Sequence, residues 1–130
     1  MAGTITVTMS GSDSERIDGL VCATVAWATD GDGECSGPVS MVQGTIEKIQ
    51  YIPGEGDAQP DNGYDITLKD GDGLDVFGGA GVGLSDTTVS TVLMTGETPM
   101  LPVATTGLLT LEVLNAGAAH AGTVKVFFRR

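Results

Sequence analysis

Asp-Gly-Asp-Gly occurs twice in this 130-residue chain, at 30–33 and again at 70–73. Alternating carboxylates are how a calcium loop begins: Asp30, Asp32 and Glu34 stand two residues apart, and Asp70, Asp72 and Asp75 nearly do. A loop of the EF type wants oxygen ligands at positions 1, 3 and 5, a glycine at 6 and a bidentate glutamate at 12. Position 12 falls on Met41 in the first copy and on Gly81 in the second, so neither completes the set. Asp-Gly is also a tight-turn dipeptide, because glycine takes positive φ without strain. We read both copies as hairpin turns. Asp70, Asp72 and Asp75 stay as weak metal candidates, and no cofactor is expected.

The other chemistry-bearing residues are sparser. Gly79, Gly81 and Gly83 alternate as in a loose phosphate cradle, but the Lys-Ser/Thr of a P-loop is missing and no strong helical pattern follows. His120 is the single histidine and stands in Ala118-Ala-His-Ala-Gly122, which reads as the exposed tip of a final hairpin. A lone histidine makes neither a triad nor a zinc site without remote help. Ser10, Ser12 and Ser14 lack the nucleophile elbow of a hydrolase. Carboxylate pairs for acid–base work would need a cleft, for which short strands leave little room. Trp27 reads as a core anchor. We therefore expect no enzyme.

The elements that must position these residues are strands. The chain has 20 glycines, five prolines and many Thr and Val, against one Trp, two Tyr and three Phe. Such a chain suits short strands with tight turns over an aliphatic core. Ile5, Val7 and Met9 alternate inward along a first strand, 4–9, and Val21, Val25 and Trp27 share one face of a second, 20–28. Ser10–Asp18 reads as a polar loop. Gly37-Pro38 would interrupt a central strand, so 34–38 reads as irregular. Met41–Ile52 is the longest candidate, either covered on both faces or bulged near Gly44, and Pro53–Gly63 is the clearest loop. Tyr64–Leu68 pairs with Leu74–Phe77 as one hairpin, and Leu108–Leu114 pairs with Thr123–Phe128 as another. Thr87–Thr95 fits an edge strand or a short helical turn, and Pro99–Pro102 an extended connector. The sum is a single domain over 1–130, an all-β antiparallel β-sandwich, jelly-roll-like or Ig-like, of about seven or eight short strands. Residues 1–9 form its N-terminal strand or a neighbour-contacting arm.

With 17 acidic residues against six basic ones, the net charge is −11, which repels nucleic-acid phosphates. No stretch reaches the ~18–20 apolar residues of a membrane span, and no signal peptide is apparent, so synthesis in a cytoplasm is expected. Cys35 falls opposite position 27 or 28 if 30–33 is a hairpin turn, which leaves Cys22 and Cys35 as free thiols.

Four segments carry a resemblance: Met1-Ala-Gly-Thr-Ile-Thr-Val-Thr8, Pro60-Asp-Asn-Gly-Tyr-Asp-Ile-Thr-Leu68, Asp72-Gly-Leu-Asp-Val-Phe-Gly-Gly-Ala-Gly81, and the closing Leu114-Asn-Ala-Gly-Ala-Ala-His-Ala-Gly-Thr-Val124. They are similar to small virion proteins of tailed bacteriophages, in particular head decoration (cement) proteins, over about two thirds of the chain, weakest at 10–40 and 84–105. The resemblance implies a structural protein on the capsid surface of a virion, with the major capsid protein and copies of itself (a trimer or dimer) as partners. It carries over no catalytic residues. Contacts are expected at Ile5, Val7 and Met9, at Gly79, Gly81 and Gly83, and at the basic end Arg129 and Arg130. A phage tail or neck component, or a Ca²⁺- or glycan-binding sandwich, is the alternative.

Overall fold

Apolar residues at every second position become strands with one face turned inward, and two such sheets close on each other. The structure, a computed structural model, describes residues 3–10, 20–39, 44–93, 103–105 and 109–129. The expected loop 10–18 beyond Ser10, together with Met41, the end of Thr87–Thr95, Pro99–Pro102, Leu108, Arg130 and the side chain of Met9, lies outside these residues. Nine strands occur among them: β1 Thr4–Ser10, β2 Leu20–Ala28, β3 Cys35–Val39, β4 Gly44–Pro53, β5 Asp65–Lys69, β6 Ser90–Leu93, β7 Val103–Thr105, β8 Leu109–Leu114 and β9 Ala121–Arg129. One sheet runs β1-β2-β9-β4-β6, with β7 also pairing β4, and the other runs β3-β8-β5. All pairings are antiparallel. The fold is a β-sandwich.

Between the sheets lie Val21, Val25, Trp27, Ile46, Ile49, Tyr51, Val124, Val126 and Phe128 from the larger sheet, facing Val39, Ile66, Leu68, Leu109, Leu111 and Val113 from the smaller. Burying each large apolar side chain contributes about 1.5–3 kcal/mol, so the period-2 pattern largely decides which face turns in. Trp27 packs on Tyr64 with ring centroids 5.5 Å apart, and Tyr51 meets Phe77 edge-on at 5.7 Å. The Thr87–Thr95 alternatives resolve to the edge strand β6.

In β4 the register shifts between Ile46 and Lys48. The extra residue puts Ile46 and Ile49, three apart, on the same buried side. The bulge expected near Gly44 is therefore present, at Glu47. The stretch 34–38 is not irregular, because β3 runs through Gly37-Pro38. β3 is an edge strand, where a proline removes no ladder bond, and Pro38 is exposed.

The largest correction concerns the hairpins. β8 and β9 do not pair, since β8 lies between β3 and β5 and β9 between β2 and β4. The links 29–34 and 115–120 are corners that carry the chain from one sheet to the other, and each spans the roughly 10 Å between packed sheets. The β2–β3 arch lies directly on the β8–β9 arch, with Ala28 beside Ala121 in one sheet and Cys35 beside Val113 in the other. The Tyr64–Phe77 hairpin is half realised. The chain reverses after Lys69, but the returning limb makes one bridge, Lys69 to Asp75, before curling into turns that bury Val76 and Phe77.

Candidate functional site: the corner, the free turn and the sheet face

Each Asp-Gly-Asp-Gly builds the same loop. Asp30 Oδ1 accepts from the N–H of Asp32 (2.8 Å) and Glu34 (3.2 Å), and Asp70 Oδ1 accepts from Asp72 (2.9 Å) and Leu74 (3.0 Å). Gly33 and Gly73 close the turns at φ 82° and 85°, each donating its N–H to the carbonyl of the leading aspartate. These backbone bonds hold the Asp30 carboxyl below its ordinary range, those from Asp32 and Glu34 being the main cause. Asp75 is engaged too: Oδ1 accepts from Leu68 and Phe77 N–H at 3.0 Å each, and Oδ2 from Gly79 N–H at 3.0 Å. The carboxylates of Asp70 and Asp75 thus staple the loop, and no group of three or more His, Cys, Asp or Glu placed to hold a metal occurs among the described residues.

The first loop is locked into the corner. Thr29, 7% exposed, donates its hydroxyl to Gly117 O (2.6 Å) and accepts from His120 N–H (2.9 Å). Asp30 O receives Ala119 N–H at 3.1 Å, and Gly33 O receives Ala116 N–H at 3.3 Å. His120 is therefore a corner residue and not a free hairpin tip. Its Nδ1 lies 2.7 Å from Ala116 O and 3.8 Å from Asp61 Oδ1, and its side chain is 25% exposed.

The glycine crossing covers an edge. Ile66 N–H donates to Gly81 O at 2.7 Å, Gly83 N–H donates to Asp65 Oδ1 at 2.8 Å, and Tyr64 bridges Leu84. Segment 81–84 thus lies along the open side of β5, protecting it from foreign strands. Gly81 is buried there, where a Cβ would strike the Ile66 carbonyl, while Gly79 and Gly83 are exposed. Ile5 and Val7 are half-buried against the core as β1's inward residues. Cys22 and Cys35 form no disulfide, although the hairpin premise fails: β2 and β3 lie in different sheets, and Cys35 pairs with Val113. Burial pushes the Cys35 thiol up to about 11 and the Tyr64 phenol to about 12. A thiol that keeps its proton at neutral pH is a poor nucleophile, although Cys35 lines a cavity of about 270 Å³ with Asp30, Glu34 and Glu112.

Charge is segregated in a way that composition concealed. Among the described residues, the strands of the larger sheet carry Lys48, Lys125 and Arg129 but one acid, Glu47. By register all three cations stand on its outer face. Arg129 grips Glu47 with two bonds, Nε–Oε2 3.1 Å and Nη2–Oε1 3.2 Å, and Lys48 Nζ lies 4.2 Å from the centre of the Phe127 ring. Lys125 occupies the middle of the face between Thr24 and Gln50. Toward the β1 edge and the corner the outward positions are small and uncharged, including Thr4, Thr6, Ala26, Ala28 and Thr123. Of thirteen described acids, ten lie in loops, and no described lysine or arginine does. Alternation assigns residues to a face, but only strand order shows which faces adjoin, so this surface was missed in the sequence. No family model, curated protein or solved structure matches the chain.

Proposed function

We propose that this chain is a non-enzymatic structural protein of a tailed-bacteriophage virion, a decoration protein seated on the outer surface of the major capsid lattice. The observation that carries the reading is the acid-poor outer face of the six-stranded sheet on a chain of net charge −11. A chain this acidic meets a protein surface most readily where carboxylates are absent, and its acidic loops then turn to solvent. The four segments similar to head decoration proteins supply the particle. β1 adds a second mode of contact: it pairs with β2 alone among the described strands, and its outer edge can extend into a neighbour's sheet.

The mechanism is linkage. Contacts made only to the intact lattice lower its free energy relative to the ruptured state, so the head withstands more internal pressure. Synthesis belongs in the host cytoplasm and the finished protein on the virion. The test is to add the purified chain to particles lacking it, then follow co-sedimentation and head survival on heating or chelation. Saturable binding with raised survival is expected. A chain that stays in the supernatant and leaves survival unchanged contradicts the proposal.

A further inference from the structure

Two features at opposite ends of the sandwich fit each other. On the outer face of the six-stranded sheet, beside the corner, lies a shallow basin of about 400 Å³. Its lining is uncharged and includes Thr4, Thr6, Ala26, Ala28 and Thr123. One row further along the face stands Lys125. At the far end, past Lys69, the second Asp-Gly-Asp-Gly turn carries Leu74, 62% exposed and the largest exposed apolar side chain among the described residues. Asp72 stands beside it at the tip, also exposed.

The geometry points to head-to-tail self-association, with the Asp70–Leu74 turn of one copy seated in the threonine- and alanine-lined basin of the next. Leu74 fills the uncharged basin, and Asp72 answers Lys125. The turn follows β5 in the smaller sheet, at the end away from the corner, and the basin lies on the outer face of the larger sheet beside the corner, so a copy cannot fill its own basin. A twofold face-to-face arrangement centred on this sheet is disfavoured, because it sets Lys125 against its own counterpart in a contact that excludes water. The head-to-tail contact is heterologous, and such contacts close into rings or run on as chains. The inference does not depend on the virion reading, since it concerns the isolated chain alone.

Sedimentation velocity of the full chain at rising concentration in 0.15 M salt tests it. The wild type is expected to associate. Leu74→Asp and Ala26→Glu, both at exposed positions, each weaken association at least ~10-fold while retaining the parental melting temperature. Thr6→Glu repeats the basin test, and Val82→Asp, on the glycine crossing, leaves association unchanged. The decisive arm mixes Leu74→Asp, whose basin is intact, with Ala26→Glu, whose turn is intact. A heterologous contact predicts a one-to-one complex that grows no further. A wild type that stays monomeric throughout, variants that associate normally, or a mixture that remains monomeric would each overturn the inference.

Discussion

The same four residues make the same loop twice, yet one loop is fixed in the fold and the other stands free. In both, the leading aspartate caps two backbone N–H groups and a glycine at φ near 80° closes the turn. The residue before it differs. Thr29 is buried and bonded to the opposite corner, whereas Lys69 is exposed and pairs loosely with Glu112 at 3.5 Å. The first loop then delivers the chain into the other sheet, and the second turns it back beside β5. The turn is encoded locally, and its destination is set by what the flanking strands can bury. Identical loops therefore leave different residues for contact: none of the first loop's glycine-side backbone, but all of Leu74 from the second.

Substituting the closing glycines should separate the two most widely. Alanine at Gly33 faces both left-handed backbone strain and the Gly117 backbone, whose nitrogen lies 2.9 Å from the new Cβ. Alanine at Gly73 meets strain alone, since nothing lies within 4 Å. Urea unfolding should show a loss of about 2–4 kcal/mol for Gly33→Ala and about 1–2 kcal/mol for Gly73→Ala. Equal losses would mean the corner is not packed as described. The preceding residues give a smaller contrast. Thr29→Val strands the His120 N–H and Gly117 O partners and should cost about 1–3 kcal/mol, while Lys69→Ala removes an exposed ion pair and should cost under about 0.5 kcal/mol.

The acid limb of stability gives the finest comparison. The Asp30 carboxyl is held down in the folded chain, chiefly by the Asp32 and Glu34 N–H groups, so its contribution is complete above its unfolded value of 3.8. That contribution is lost as pH falls through the lower folded value. Asp30→Asn should lower the melting temperature at neutral pH, and its deficit against the wild type should shrink and vanish as pH falls below 4, flattening this part of the profile. A profile that moves equally at every pH would assign the effect to lost packing.

Much of the fold could be read from period and punctuation. Val21, Val25 and Trp27 share a buried face as their spacing implies, and both Asp-Gly-Asp-Gly stretches are turns, although only the second is a hairpin and the first is a corner between sheets. Sheet membership could not be read. A six-residue link between two alternating strands looks alike whether it closes a hairpin or crosses a sandwich, so β8 and β9 seemed to be partners. Bulge position was hidden for a related reason, because Ile46 and Ile49 fit no strict alternation and only the register with Phe128 and Val126 locates the extra residue. The acid-poor face shows as lone lysines in separate strands until β9 is placed between β2 and β4. Pro38 misled because a proline excludes a central strand but not an edge.

Hydrogen exchange on the chain, free and bound to particles that lack it, tests the central claim most directly. In the free chain the corner amides of Thr29, Ala119 and His120 should exchange slowly, being bonded across the two arches, and that of Gly71 quickly. On binding, the account predicts new protection along Thr4–Thr8 and across the outer face of β9, with the corner unchanged. Protection gained at the corner and absent from that sheet, or no change anywhere in a chain that has bound, would contradict it.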